Sequence, residues 1–158
     1  MHPPALFLAS TSPRRRELLQ QLGLTFSVLR VDVDESAKVG ERPTEYVLRL
    51  AREKALAGLA QITAGVIVAA DTSVVIDDDV LGKPASEEEA VAMWQRLSGR
   101  THQVLTGVAV GDASHIESIV VSTRVHFRAI TPSEMHAYWQ SGEPSDKAGG
   151  YAIQGRGA

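Results

Sequence analysis

Carboxylates and lysines in separate parts of the chain are the residues that could act together in chemistry. Asp71 interrupts an apolar run, with residues 66–70 before it and 74–76 after it, so its carboxylate should be at least partly buried. A buried charge needs a metal ion, a cation or hydrogen bonds to offset the loss of water. The alternative is an aspartate that accepts backbone hydrogen bonds at the end of a strand.

A second acidic group, Asp32, Asp34 and Glu35, follows a short predicted strand. Hard oxygen ligands of this kind suit magnesium, which takes one or two protein carboxylates together with the phosphates of a substrate. The alternative interpretation is a solvated acidic loop.

Two lysines are candidates for contact with phosphate. Lys54 falls on the edge of the apolar stripe of a helix predicted over residues 44–63, where it either points into a cleft or snorkels along the surface. Lys83 follows a tight turn in the segment 81–84 (LGKP). For a lysine in such a turn, the alternative is an ordinary surface residue.

The segment 10–16 (STSPRRR) joins a predicted strand to a helix. Ser12 is a good N-cap and Pro13 suits the first helical position. Free backbone N–H groups at such an end attract anions, whereas three arginines in the first turn oppose the helix dipole. The arrangement is therefore more favourable with a bound anion, although a solvated basic face is the alternative. It is not a Walker A loop, since no such motif occurs in the sequence.

The glycine-rich segment 146–155 includes Gln154. Glycines allow the backbone to approach a ligand closely, and a glutamine side chain both donates to and accepts from a base edge. A flexible loop is the alternative. Taken together, carboxylates for a divalent cation and cations for phosphates are typical of phosphate-ester or anhydride hydrolysis.

The elements that must position these residues predict an α/β fold with a mixed sheet and flanking helices. Strands are predicted over 5–9, 25–31, 66–70, 73–76, 101–110 and 115–129, and helices over 12–22, 44–63, from Ser86 onward and from Thr131 to about 141. Ser86 with Glu89 forms a capping-box pattern, and glycine at 65 is expected to end the long helix.

The composition limits the classes of function. A chain of 158 residues suits one domain, and a net charge of −3 argues against general affinity for nucleic-acid polymers. Without cysteine, disulfides, thiolate metal sites and a cysteine nucleophile are excluded. The first apolar run is too short for a signal peptide or membrane span, which favours a cytoplasmic protein without a targeting segment.

Motifs along nearly the whole chain, in order, resemble those of the Maf family of nucleoside triphosphate pyrophosphatases. They are residues 8–19 (LASTSPRRRELL), 33–35 (VDE), 52–55 (REKA), 69–72 (AADT), 81–84 (LGKP), 97–102 (LSGRTH), 142–149 (GEPSDKAG) and 151–155 (YAIQG). The resemblance implies a fold related to the inosine triphosphatase group, with a cleft between two lobes. It also implies cleavage between the α- and β-phosphates with the help of Mg²⁺ or Mn²⁺.

The resemblance assigns roles residue by residue. Asp71 matches the general base, and the positions lining the phosphate and metal site are Ser10, Arg15, Glu35, Lys54 and Lys83. Our mechanistic hypothesis takes Glu35 and Asp71 as the metal ligands, and Asp71 then either accepts a proton from water or orients a metal-bound water. Arg14, Thr72 and Gln154 match the specificity positions of the branch acting on dTTP and UTP. The branch acting on 7-methyl-GTP typically has tryptophan, glutamine and glutamate there.

Other interpretations stay open at this point. The chain could be a nucleotide-binding regulator of septum formation without turnover, a pyrophosphatase for a modified purine triphosphate, or a structural domain with solvated charges. Members of the family continue with another strand and a closing helix, which this single domain, 1–158, is expected to lack. A homodimer is compatible with the resemblance.

Overall fold

The sheet and helices of the computed structural model, which describes residues 2–158, confirm the predicted α/β class. The helices are α1 (Pro13–Gln21), α2 (Pro43–Leu59), α3 (Glu87–Leu97) and α4 (Pro132–Gln140). The strands are β1 (Leu6–Leu8), β2 (Ser27–Val28), β3 (Val66–Ile76), β4 (Asp79–Leu81), β5 (Thr101–Gly111) and β6 (Ile116–His126). Short 3₁₀ turns cover Pro144–Asp146, Ala148–Gly150 and Gly155–Gly157. None of the helices in this part of the chain has the length and apolar character needed to span a bilayer.

The sheet is mixed, as predicted, with strand order β2-β1-β3-β5-β6 and β4 paired to β3. Strand β1 is parallel to both β2 and β3, whereas β3 and β4 are antiparallel. Leu8 is in register with Val68, and the amide of Ala9 donates to the carbonyl of Val68 over 2.8 Å. This register places β1 beside the first residues of β3, so Ser10 and Asp71 lie two and three residues beyond the paired Leu8 and Val68.

The chain divides into two compact units, and the boundaries between them along the sequence fall within strands β3, β5 and β6. The first unit comprises residues up to Asp71 together with Thr106–Val121, and the second comprises Thr72–Leu105 and Ser122–Ala158. The core of the first unit contains Ala9, Ala51, Ala55, Ile67, Ala69 and Ala109. The core of the second contains Val74, Ile76, Leu81, Ala90, Trp94, Leu97, Met135 and Tyr151.

Small residues in the first core let helix α2 pack tightly on the sheet. A Cβ atom added at Gly107 would lie 2.4 Å from the carbonyl oxygen of Val47, and one at Gly58 would lie 2.6 Å from the side chain of Ile67. Contacts this short leave no room for a side chain. The close approach fixes where α2 lies over the sheet, and α2 carries Lys54.

Of the two possibilities for residues 73–76, which could continue the strand of 66–70 or re-enter the sheet, the structure shows the first, with Asp71 and Thr72 in one extended strand. Several predicted boundaries were wrong. Strand β2 has two residues instead of seven, since its partner β1 has only three. Helix α2 ends at Leu59, where the chain tightens into turns with hydrogen bonds to carbonyls three residues back. Gly65, at a φ of +130°, leads into β3 and does not cap the helix.

The predicted helix starts were right in position. Ser12, Ser86 and Thr131 each accept a hydrogen bond from the backbone N–H three residues later. The capping box at Ser86 is only half formed, because the Glu89 side chain accepts from the amide of Ala85 instead. A complete box occurs at Thr131. Local hydrogen bonds of this kind are encoded within four residues, which is why sequence predicts them.

Candidate active site

Lys54 on helix α2 contacts both of the most prominent candidate carboxylates. Its Nζ donates to Asp71 Oδ1 over 2.9 Å and lies 3.1 Å from Glu35 Oε1. Asp71 is only 7% exposed, and the Lys54 side chain is 15% exposed. Three residues that are distant in the sequence thus converge in the first unit, and the buried charge of Asp71 has the cation that its burial requires.

The environment of Asp71 raises the pKa of its carboxyl group above the ordinary value. Burial is the main cause and the nearby Glu35 adds to it, whereas Lys54 and Arg15 lower the pKa. A raised pKa makes the carboxylate a stronger proton acceptor, which is what a general base needs. Perturbation by burial and specific charged partners is also a feature of catalytic groups.

Ser10 follows β1 and Arg15 lies in the first turn of α1, as the sequence predicted. The Ser10 hydroxyl accepts from the amide of Ser12 over 3.1 Å, and Arg15 Nη1 donates to it over 3.4 Å. Burial lowers the pKa of Arg15, opposed by the charge of Asp71. Arg14 on the same helix turn is exposed. Arg15 is half-buried, and the charges of Asp71 and Glu35 both affect its pKa, so it adds positive charge near these two carboxylates.

Helix α2 also holds the loop that carries Glu35. The Tyr46 hydroxyl donates to the backbone carbonyl of Glu35 over 2.6 Å, and Arg49 Nη2 donates to the carbonyl of Ser36 over 3.0 Å. Arg49 is itself held by Glu41, with an Nε to Oε2 distance of 2.6 Å. Sequence reasoning missed Tyr46 and Arg49, because their spacing on α2 shows a shared face but not the loop that this face contacts.

Asp34, unlike Glu35, is engaged within its own loop. Its Oδ1 accepts from the amide of Ser36 over 2.9 Å and from the Ser36 hydroxyl over 2.6 Å. These hydrogen bonds lower the pKa of Asp34. Asp34 therefore shapes the acidic loop, and Glu35 is the residue of this group that reaches Lys54.

The donor set at Lys54 fits a divalent cation that shares its ligands with a substrate. One carboxylate oxygen each from Asp71 and Glu35 lies within 3.1 Å of the same ammonium group, so both oxygens face one locus. Within residues 2–158, no three or more histidine, cysteine, aspartate or glutamate side chains are arranged so that they could hold a metal ion. Two carboxylates suit Mg²⁺, which usually keeps several water ligands and is bound by one or two protein carboxylates together with substrate phosphates.

The remaining predicted residues, Thr72, Lys83 and Gln154, belong to the second unit. Lys83 is exposed and follows the buried end of β4, and the amide of Gly149 donates to the carbonyl of Gly82 over 3.0 Å. Its charge lowers the pKa of Asp146, after the stronger effect of Lys147. The lysine turn and the glycine loop are thus hydrogen-bonded neighbours within this unit.

Comparison with known proteins agrees with the motifs. The model of the family described as "Maf-like protein" matches residues 5–158. The dTTP/UTP pyrophosphatase of Pseudoalteromonas translucida is 53% identical over 97% of this chain and 82% of its own length. The protein of the same name from Myxococcus xanthus is 55% identical over 96% of this chain and 77% of its own length. Among solved structures, protein VC0702 from Vibrio cholerae aligns with a TM-score of 0.45 and 9% identity, covering 89% of this chain and 72% of that one.

Motif order, a family match over nearly the whole chain and relatives at about half identity agree with the convergence of Asp71, Glu35 and Lys54. The chain belongs to the Maf family.

Proposed function

We propose that this protein hydrolyses dTTP and UTP to the nucleoside monophosphate and pyrophosphate. The observation that carries the proposal is the contact of Lys54 with both Asp71 and Glu35, which joins a buried base to a cation and a second acidic ligand. The names of the relatives, dTTP/UTP pyrophosphatases, indicate the substrates. Attack at the α-phosphorus then releases pyrophosphate as the leaving group.

The residues of the first unit take distinct roles in this reaction. Asp71 accepts a proton from the attacking water, which its raised pKa favours. Lys54 and Arg15 offset the negative charge of the phosphates, and Ser10 holds the Arg15 side chain. Lys83, from the second unit, is proposed as a further phosphate contact.

Mg²⁺ or Mn²⁺ is the proposed cofactor, with Glu35 and Asp71 as its protein ligands. When bound, such a cation neutralises phosphate charge and lowers the pKa of a coordinated water. If Glu35 and Asp71 held the cation, the Lys54 ammonium would donate to the substrate phosphates instead of to these two carboxylates. In that state Asp71 would either accept the proton of the attacking water or orient that water.

Specificity for a pyrimidine is proposed to depend on Arg14, Thr72 and Gln154. Polar side chains that pair with a base edge discriminate strongly, because the wrong base leaves buried polar groups unpaired. A cytoplasmic location and a homodimer are proposed on the family resemblance alone.

The test is a product assay over normal and modified triphosphates with Mg²⁺ or Mn²⁺. We expect pyrophosphate from dTTP and UTP, and a loss of about 10²–10⁴-fold in kcat for Asp71→Asn, the range typical of a missing general base. The matched control is Asp78→Asn, which alters an exposed aspartate in the β3–β4 turn. Release of orthophosphate instead of pyrophosphate would contradict cleavage between the α- and β-phosphates. Nucleotide binding without turnover would favour the alternative function, a nucleotide-binding regulator of septum formation.

A further inference from the structure

Tyr138 on helix α4 and Glu143 just after it form a hydrogen-bonded pair in the second unit. The Tyr138 hydroxyl donates to Glu143 Oε2, and the same hydroxyl accepts from the backbone amide of Ala152 over 3.4 Å. The other carboxylate oxygen of Glu143 accepts from the amide of Arg156 over 3.2 Å. The pair thus binds the backbone two residues before Gln154 and two residues after it.

Glycine at two positions lets the chain pack directly on this pair. A Cβ atom added at Gly155 would lie 2.1 Å from Glu143 Oε1, and Gly155 has a φ of +76°, which L side chains rarely adopt. A Cβ atom at Gly157 would lie 2.3 Å from the carbonyl oxygen of Ala152 and 2.6 Å from the Tyr138 hydroxyl. The turn after Gln154 is therefore shaped to receive the carboxylate and the phenol.

The carboxylate of Glu143 acts as an anion in this arrangement. The hydrogen bond from Tyr138 is the main cause that lowers its pKa, and the amides of Arg156 and Gly157 lower it further against the effect of burial. Hydrogen bonds to an ionised acceptor are stronger than neutral ones. The turn is consequently tied by charge-assisted bonds to α4, one of the packed elements of the second unit.

We propose that Tyr138 and Glu143 are positioning residues that set the orientation of Gln154 for reading the base of the substrate. The inference rests on the proposed function, in which Gln154 pairs with a pyrimidine edge. Neither residue touches the substrate in this role. Their effect reaches the base through the backbone of residues 152–156, which they hold on both sides.

The test compares Tyr138→Phe and Glu143→Gln with wild type by the ratio of kcat/KM for UTP to that for CTP. Each variant removes a hydroxyl or a charge and keeps the shape of the side chain. We expect the ratio to fall roughly 3- to 10-fold, the effect of weakening about one hydrogen bond. The matched control is Glu88→Gln, an exposed glutamate on α3, which should leave the ratio unchanged.

A merely structural role would lower kcat/KM for UTP and CTP equally, so an unchanged ratio in both variants overturns the proposal. The variant Gln154→Ala distinguishes failure of the positioning role of Tyr138 and Glu143 from failure of the proposal that Gln154 pairs with the nucleotide base. If Gln154→Ala lowers the ratio while both positioning variants leave it intact, only the present inference fails. If Gln154→Ala has no effect on the ratio, the assignment of Gln154 fails with it, while the pyrophosphate assay with dTTP and UTP still decides the activity.

Two further measurements keep the test decisive. Adding Tyr138→Phe to Gln154→Ala should change the ratio no further than Gln154→Ala alone, because both act through one side chain. In the wild-type protein, the Arg156 amide should exchange slowly with solvent deuterium, since it donates to Glu143. Rapid exchange of this amide would contradict the proposal without any variant having to fold.

Discussion

At the scale of single residues, Asp71 illustrates how a functional carboxylate conflicts with stability. Its carboxyl group is buried in a strand, and burial outweighs Lys54 in setting the direction of its pKa shift. The ionised form is therefore disfavoured by folding, although the proposed base role requires it. Active sites often retain such unfavourable groups because function selects for them.

The stability of Asp71→Asn follows from this conflict. Folding raises the pKa of Asp71, so the protonated carboxyl group stabilises the folded state. This contribution is complete at a pH below the pKa that Asp71 has in the unfolded chain, and it is lost as the pH rises through the pKa that Asp71 has in the folded protein. At pH 7 the neutral amide removes the buried charge of Asp71, so we expect the unfolding temperature of Asp71→Asn to lie above that of wild type.

Thermal unfolding monitored by circular dichroism at pH 7 and at progressively lower pH measures this effect. The advantage of Asp71→Asn over wild type should shrink as the pH falls, because the wild-type carboxyl becomes protonated. A lower midpoint for the variant at pH 7 would mean that the ion pair with Lys54 outweighs the desolvation of Asp71.

At the scale of elements, helix α2 organises the candidate site. It supplies Lys54, and its residues Tyr46 and Arg49 hold the backbone carbonyls of Glu35 and Ser36. The apolar stripe of α2 correctly predicted that Lys54 would lie at the border of the buried face. The acidic loop that meets this border comes from an earlier part of the chain, and nothing in the helix sequence indicates it.

Tyr46→Phe tests the hold of α2 on the acidic loop. The change removes the 2.6 Å hydrogen bond to the carbonyl of Glu35 and leaves the ring in place. If Glu35 is a metal ligand, we expect the Mn²⁺ concentration for half-maximal activity to rise about 3- to 10-fold, the usual effect of losing one hydrogen bond. A metal titration of dTTP hydrolysis measures it, and an unchanged midpoint would argue that the loop is held without Tyr46.

Gly107→Ala tests the packing of α2 on β5. The new methyl group would meet the backbone of Val47 at 2.4 Å, so the helix must shift or the strand must bend. We expect a loss of about 1–3 kcal/mol in the free energy of unfolding, the usual cost of overpacking a core. Urea unfolding measures the loss.

Gly82→Ala is the matched control for this substitution, because a Cβ atom there has no neighbour within 4 Å and the φ of Gly82 is not in the left-handed region. It should change the free energy of unfolding by less than about 0.5 kcal/mol, as is usual for an exposed site. Equal losses for the two variants would show that close packing at Gly107 is not the cause.

At the scale of the whole molecule, ion pairs that do not include Asp71 or Lys54 contribute to the response of stability to acid. Hydrogen bonds from Arg49 lower the pKa of Glu41 to about 2, and hydrogen bonds from Arg128 and from the amide of Thr131 lower that of Glu134 to about 2. Because these pKa values are depressed by folding, the corresponding stability is complete above the unfolded value of about 4.5 and is lost as pH falls toward 2.

Glu41→Gln combined with Glu134→Gln should therefore reduce the dependence of stability on pH below about 4.5. Urea unfolding at pH 6 and at pH 3 measures the difference for the double variant and for wild type. Glu88→Gln serves as the control and should retain the wild-type dependence. A double variant that loses as much stability as wild type over this range would contradict the assignment.

Much of the local structure was predictable from the sequence. The starts of α1, α3 and α4 follow from Ser12, Ser86 and Thr131, and the apolar run around Asp71 predicts its burial. These features depend on interactions within a few residues, or on the preference of apolar side chains for the interior. Element ends were less predictable, since a strand extends only where a partner strand pairs with it, and within residues 2–158 β2 pairs only with Phe7 and Leu8 of β1.

The sequence by itself determined the fold class, the helix starts and, through its motifs, the candidate residues and the family. Only the tertiary structure decided that Lys54 meets both Asp71 and Glu35, that Tyr46 holds the acidic loop, and that Tyr138 and Glu143 bind the turn after Gln154. The physical reason is that these contacts join parts of the chain that come together only when the sheet and helices have packed, so no local pattern encodes them.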